Sequence, residues 1–120
     1  MSADHRRKPA WLRSAERQGL VSAMNATKWR EVTEAMRHLA GGSPRFRIKD
    51  IDGVQPGGWE REWYYHPRPY ETIEWLEIDP DTRREQVLAA LAAVGVLIAV
   101  EEGLVRVLGW FRPGGLPAAE

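Results

Sequence analysis

Residues 59–78 read WEREWYYHPRPYETIEWLEI, the stretch of this 120-residue chain with the densest aromatic and acidic content. Two runs within it, residues 59–66 and 70–78, alternate large apolar side chains with charged ones, and a period of two is typical of β-strands. Pro67 and Pro69 lie between the runs, and proline cannot donate to a strand ladder. The stretch therefore predicts a β-hairpin that turns at these prolines.

Side-chain pairing favours one register for this hairpin. With Trp63 opposite Trp75, Arg61 also lies opposite Glu77, whereas a slip by two residues removes that ion pair. Aromatic side chains supply large buried areas, so we expect one face of the hairpin to pack against helices. The side chains predicted on that face are Trp63, Tyr65, Ile73 and Trp75.

The opposite face of the predicted hairpin combines tyrosines with carboxylates. Its candidate binding residues are Glu62, Tyr64, His66 and Glu74, with Tyr70 and Glu71 close to the turn. Exposed aromatic side chains anchor protein partners, and acidic side chains select basic ones. We therefore expect these six residues to form a protein-binding surface.

Two apolar stripes with helical spacing lie outside the hairpin. One covers residues 29–39, with apolar side chains at spacings of three and four, and Asn25 or Thr27 caps the predicted helix. The other covers residues 87–94 and ends at Gly95, because glycine adopts the left-handed conformation that terminates helices. Both stripes predict helices that cover a sheet.

Further strands are predicted on either side of the second stripe. Residues 45–49 alternate apolar and basic side chains, and residues 96–100 and 104–111 form a second hairpin with Gly103 in its turn. With a further helix predicted over about residues 10–24, the order is α-α-β-β-β-α-β-β. This is an α+β fold, in which an antiparallel sheet of about five strands has helices packed on one face.

The length and composition indicate one globular domain. A chain that is 43% hydrophobic and 28% charged is ordinary for a folded domain. We assign residues 10–112 to that domain, between a disordered lead (1–9) and a flexible tail (113–120). The absence of cysteine excludes disulfides and thiolate chemistry, and no stretch resembles a signal peptide or a membrane span. A cytoplasmic location is expected.

Charge is divided along the chain although the formal net charge is zero. Residues 1–49 hold eleven Lys and Arg against four Asp and Glu, whereas residues 50–120 hold six against thirteen. The two parts therefore carry +7 and −7. Either part attracts a partner of opposite charge, or the two parts neutralise each other within the fold.

Motifs for catalysis, metals and cofactors are missing. The three histidines lie at residues 5, 38 and 66, far apart in sequence and without a second ligand at metal spacing, so we predict no metal site and no cofactor. Nucleic-acid binding is disfavoured because the aromatic stretch is acidic. The enzymatic alternative uses Glu62, Glu74 and His66 as acid and base residues, provided that they line a pocket.

Residues 24–32, MNATKWREV, together with the stretch quoted first, resemble a family of short uncharacterised bacterial proteins. In that family an Asn-x-Thr-Lys-Trp helix start precedes a Glu-Trp-Tyr-Tyr-His strand, and the similarity covers residues 24–107. The family has no assigned function, so the resemblance implies no activity, cofactor or catalytic residue. Small bacterial proteins of this kind are often immunity proteins or antitoxins. We therefore expect an inhibitor that binds, through the hairpin, a toxin with a basic active surface, and the oligomeric state stays open.

Overall fold

The computed structural model of the chain describes residues 8–63 and 70–113. These ranges contain three α-helices, six β-strands and one short 3-10 turn. The helices are α1 (Ala10–Arg17), α2 (Ala26–Arg37) and α3 (Arg84–Val94). The strands are β1 (Val21–Ser22), β2 (Arg45–Asp50), β3 (Ile73–Asp79), β4 (Ile98–Glu101), β5 (Leu104–Leu108) and β6 (Trp110–Phe111), and the 3-10 turn Tyr70–Thr72 precedes β3.

The described strands pair antiparallel and form two sheets. The larger sheet has the order β2-β3-β5-β4, so β3 and β5 are its central strands. The smaller sheet pairs β1 with β6. Gly109 joins β5 to β6, and a Cβ atom there would strike the backbone oxygen of Ile73. Only glycine allows the two backbones to approach this closely.

The hydrophobic core lies between one face of the larger sheet and helices α2 and α3. Trp29, Val32 and Met36 of α2 and Val87 and Leu91 of α3 are each at most 3% exposed. They pack against alternate strand residues, namely Phe46, Ile48, Leu76, Ile78, Val105 and Val107. The period-two patterns therefore place one set of strand side chains in the core and the other set on the second face.

Local sequence determines where several elements begin and end. The Asn25 side chain accepts a hydrogen bond from the Lys28 backbone N–H (2.8 Å) and caps α2, as predicted. Gly95 has φ +85° and ends α3, also as predicted. Glu102 and Gly103 have φ +52° and +82°, and positive φ at both central residues characterises the tight turn that joins β4 to β5.

The hairpin predicted over residues 59–78 is wrong. Its second run forms β3, but β3 pairs with β2 and β5. Trp75 lies opposite Lys49 and Leu108, so the predicted register of Trp63 with Trp75 does not form. Side chains on both faces of β3 are buried, and such a strand belongs in the middle of a sheet.

The first run of the predicted hairpin follows the edge of β2 as an extended segment. Glu60 and Phe46 exchange two backbone hydrogen bonds of 2.7 Å. The chain then turns inward, where the Trp63 indole N–H donates to the Pro44 carbonyl oxygen (2.7 Å) and the side chain is 5% exposed. The predicted core position of Trp63 is confirmed, whereas the prediction for residues 64–69 lies outside the described residues.

The predicted α+β class with antiparallel strands is confirmed. Instead of one sheet of about five strands, the described strands divide into sheets of four and two. The predicted disordered lead (1–9) and flexible tail (113–120) lie outside the described residues, apart from residues 8, 9 and 113.

Candidate functional site

The second face of the larger sheet is lined by charged and aromatic side chains, and we call it the open sheet face. It comprises Arg45, Arg47, Lys49, Glu74, Trp75, Glu77, Asp79, Ala99, Glu101, Leu104, Arg106 and Leu108, with Trp59 lying over it. Alternation along the strands places most of these residues opposite one another. A register shift beside Lys49 places Glu74 and Trp75 consecutively on this face, as in a β-bulge.

A buried carboxylate lies at the centre of the open sheet face. Glu77 is 1% exposed, and the strand register places Arg47 and Arg106 directly on either side of it. The Arg47 guanidinium donates to one carboxylate oxygen (2.7 Å), and the Arg106 Nε donates to the other (2.8 Å). Charge-assisted bonds to both oxygens are what a buried carboxylate needs to offset its lost hydration.

Further ion pairs surround this centre. Arg45 lies 2.8 Å from Asp79, Lys49 lies 2.6 Å from Glu74, and Arg106 also lies 3.4 Å from Glu101. Counting Glu77 and Arg47, the open sheet face holds four cations and four anions. It is therefore densely charged but has no dominant sign.

The carboxyl of Asp79, on the open sheet face, has a shifted pKa. Burial alone raises the pKa of its carboxyl, but hydrogen bonds from the Arg45 side chain and the Asp81 backbone N–H oppose that effect. The positive charges of Arg45 and Arg61 oppose it further. Together these interactions hold the pKa of Asp79 below its ordinary value.

Two tryptophans contact arginines on the open sheet face. The Trp59 ring lies 4.7 Å from the Arg45 guanidinium and 4.6 Å from that of Arg47. The Arg106 guanidinium lies 4.2 Å from the Trp75 ring. Such cation–π contacts attract the two groups and restrict their motion. The result is a row of large planar side chains in fixed positions.

A groove of about 270 Å³ adjoins this row, between the larger and the smaller sheet; we call it the aromatic groove. Its lining includes Trp75, Trp110, Phe111 and Arg112, with Arg106 shared with the open sheet face. Trp110 is fixed because its indole N–H donates to the Glu71 carbonyl oxygen (2.9 Å), and the Arg112 Nε donates to the Gln18 carbonyl oxygen (3.0 Å). The groove is therefore built from anchored side chains.

A model of a family of unknown function, DUF6678, matches residues 11–114. The chain belongs to DUF6678. Apart from Ala10, the first residue of α1, the match covers all three described helices and both sheets, and it assigns no activity to any residue. No curated protein matches the chain, and no solved structure matches it.

Among the candidate binding residues predicted for this DUF6678 domain, the four that the structure describes do not share one face. Glu62 is exposed beyond the edge of β2, and Glu71 is exposed in the 3-10 turn. Tyr70 stacks on Trp29 of the core (ring centroids 6.2 Å apart), whereas Glu74 lies on the open sheet face. Tyr64 and His66 lie outside the described residues.

The enzymatic alternative required Glu62 and Glu74 to lie together in a pocket. The positive charge of Arg61, the residue before Glu62, helps to lower the pKa of Asp79, so Arg61 lies near the end of β3. Glu74 lies near the beginning of the same strand. Five residues of strand separate Asp79 from Glu74, a distance of about 17 Å. The Glu74 carboxylate and the segment that carries Glu62 therefore lie near opposite ends of β3. His66, the third residue of the enzymatic alternative, lies outside the described residues, so that alternative stays a prediction.

Within the part of the chain that the structure describes, no three His, Cys, Asp or Glu side chains cluster as metal ligands would. Among the same residues, no helix of the DUF6678 domain is long and apolar enough to cross a membrane.

Sequence reasoning missed the centre of the open sheet face because it paired Glu77 with Arg61. A usable signal was present in the charges of the two strands. Basic side chains repeat with a period of two along β2, and acidic ones do so at Glu77 and Asp79 of β3. Opposite charges with the same period favour direct pairing of those two strands.

Proposed function

We propose that this DUF6678 protein is a small cytoplasmic protein-binding domain, an inhibitor of the immunity or antitoxin type, which binds its partner through the open sheet face and the aromatic groove. The observation that carries the proposal is the row of tryptophans and arginines on the face that α2 and α3 leave uncovered. Trp59 is held there by Arg45 and Arg47, and Trp75, which is only 8% exposed, is held by Arg106.

The composition of this surface supports protein binding. Tryptophan and arginine are the residues most enriched among the side chains that dominate binding energy at protein interfaces. Prearranged side chains lose little conformational freedom on binding, so more of their contact energy appears as affinity. The groove beside them offers a concave site for a protruding side chain of the partner.

The charge pattern indicates how a partner is selected. The carboxylates of the open sheet face are already paired with arginine or lysine, so we expect a partner with charges of both signs in matching positions. Such complementarity mainly determines specificity and the association rate. A toxin with a wholly basic active surface, as the sequence suggested, stays a prediction that the same binding experiment tests.

Three variants test the proposal, using the protein that co-purifies with the chain in its native host. Trp59→Ala removes an anchor at the surface, and Arg112→Ala removes a wall of the aromatic groove. Arg30→Ala, on the exposed side of α2, is the matched control. We expect a loss of affinity of about 30-fold or more for Trp59→Ala, a smaller loss for Arg112→Ala and none for Arg30→Ala, measured by calorimetry.

Circular dichroism establishes that each variant is folded. Folded Trp59→Ala and Arg112→Ala variants with native affinity would refute the binding face. If the partner is a toxin, the variants that bind it more weakly should also inhibit it less. The loss of inhibition should therefore be largest for Trp59→Ala, smaller for Arg112→Ala and absent for Arg30→Ala. A partner without toxic activity would leave the binding face standing and refute the immunity role.

A further inference from the structure

The two outer edges of the larger sheet differ. The outer edge of β2 is covered by the segment around residues 57–60, through hydrogen bonds of the Gly57 N–H to Ile48 (2.8 Å) and of Glu60 to Phe46. Strand β4 forms the other edge and pairs only with β5. Among the described residues, no strand or extended segment covers the outer side of β4.

The strand ladder defines which backbone groups of β4 point outward. The two-residue turn makes Glu101 and Leu104 a hydrogen-bonded pair, and the Leu108 N–H donates to the Leu97 carbonyl oxygen (2.9 Å). Hydrogen-bonded pairs alternate along antiparallel strands, so residues 97, 99 and 101 face β5. The N–H and C=O groups of Ile98 and Val100 therefore point away from the sheet.

The side chains of β4 offer little protection to this edge. Ile98, Ala99 and Val100 are apolar, and Val100 is 39% exposed. Natural sheets shield their edges with lysine, proline, bulges or a covering segment, because an uncovered apolar edge pairs with other strands. Strand β4 has no lysine, proline or bulge, and Glu101 at its end is its single charge.

We propose that β4 pairs antiparallel with β4 of a second copy of this chain, around a twofold axis at Ala99. Ile98 then lies opposite Val100 of the partner subunit, and each such pair exchanges two backbone hydrogen bonds. The twofold axis repeats the pair, so four bonds form. A register centred on Val100 instead would oppose Ile98 to Glu102, which lies in the turn with positive φ, and would form only two bonds.

Side-chain chemistry fits the register centred on Ala99. The closest pair across the axis is Ala99 with Ala99 of the partner subunit, and both methyl groups are small enough for that approach. Glu101 faces Leu97 of the partner subunit, so the two Glu101 carboxylates are separated by four residues, roughly 14 Å along the strands. At this distance salt screens their repulsion.

A second copy explains the uncovered edge better than an unrelated strand, because one twofold contact covers two identical apolar edges at once. The contact joins the larger sheets into one of eight strands. Residues opposite each other on antiparallel strands point to the same side, so both open sheet faces lie on one side of the dimer. The area of a four-residue strand is below that of a standard interface, and we expect association in the micromolar range.

Sedimentation equilibrium of the full chain, from roughly 10 μM to 1 mM, tests the dimer. We expect Val100→Lys to raise the dissociation constant at least about tenfold. The matched control is Val54→Lys, which makes the same replacement at a loop valine that is 87% exposed, and it should leave association unchanged. The proposal is overturned if the chain is monomeric at every concentration. A monomeric chain whose β4 binds only a strand of another protein overturns it as well.

Cysteine crosslinking tests the register, and it does not depend on Val100→Lys folding. The chain contains no cysteine, so Ala99→Cys introduces a single thiol at the twofold axis. Opposed residues at such a position have Cα atoms about 4.5 Å apart, within the range that a disulfide spans. Under mild oxidation Ala99→Cys should form a covalent dimer at least about tenfold faster than Glu101→Cys on the same strand. Equal rates for the two variants overturn the register.

Discussion

Glu77 shows how a single residue links the strands of the larger sheet. Its carboxylate is buried at the middle of β3 and bonded to Arg47 of β2 and Arg106 of β5. Burying this charge costs hydration, and the two arginines repay the cost only while both bonds are made. Glu77 therefore contributes to the register of three strands at once.

Replacing Glu77 by alanine should lower the free energy of unfolding by about 2–4 kcal/mol. The variant leaves Arg47 and Arg106 without the buried anion between them, although Arg106 keeps its contact with Glu101 and each arginine is nearly a third exposed and so keeps part of its hydration. Urea unfolding measures the loss. Glu62→Ala, at an exposed position, should cost less than about 0.5 kcal/mol. A loss below about 1 kcal/mol for Glu77→Ala would contradict the central role of this carboxylate.

Asp79 makes stability depend on pH at the acidic end. Because the pKa of Asp79 is lower in the folded chain than in the unfolded chain, its ionised form stabilises the fold above the unfolded value of about 3.9. That contribution is lost as the pH falls through the folded pKa. The stability difference between the native chain and Asp79→Asn should therefore shrink between about pH 5 and about pH 2. Thermal unfolding measures it, and a difference that is constant over this range would count against the prediction.

Elements whose ends are encoded locally could be predicted from the sequence. The Asn25 cap, the Gly95 terminus of α3 and the turn at Gly103 each depend on the conformational preferences of one or two residues. All three are present in the structure. For this reason α2, α3 and the β4–β5 hairpin were expected close to where they lie.

Strand partners could not be predicted in the same way, because they depend on contacts between distant parts of the chain. The short connection between residues 59–66 and 70–78 favoured pairing these two predicted strands with each other. In the structure β3 lies between β2 and β5 instead. One observation favoured a central position: Ile73, Trp75, Leu76 and Ile78 are apolar at both alternating positions of the strand. The face assigned to the candidate binding residues depended on the same pairing, which does not form.

Helix α2 offers a test at the scale of one element. The sequence left Asn25 and Thr27 as alternative caps, and in the structure the Asn25 side chain bonds the Lys28 N–H. Asn25→Ala should lower the free energy of unfolding by about 1 kcal/mol, because that N–H loses its partner. Thr27→Ala lies on the exposed first turn, and we expect a change within about 0.5 kcal/mol. Equal losses in urea unfolding would rule out Asn25 as the main cap.

In the whole molecule, the basic first part of the chain and the acidic second part form ion pairs with each other in the larger sheet. Arg45, Arg47 and Lys49 belong to the basic first part, and their partners Asp79, Glu77 and Glu74 belong to the acidic second part. Neutralisation within the fold therefore accounts for much of the asymmetry. The same contacts join residues about thirty positions apart, so they contribute to the antiparallel pairing of β2 with β3.

If these pairs act as specific links, exchanging the charges of one pair should preserve stability. Lys49→Glu and Glu74→Lys should each destabilise the fold, and the double variant should recover most of the loss, with a coupling of about 1–2 kcal/mol in a double-mutant cycle. The side chains of this pair are only 19% and 20% exposed, so water screens the interaction weakly. The Glu34–Arg37 pair on α2, with both side chains nearly half exposed, is the control and should show a coupling below about 0.5 kcal/mol. Equal couplings for the two pairs would mean that the Lys49–Glu74 pair contributes only general neutralisation and does not help to define the strand register.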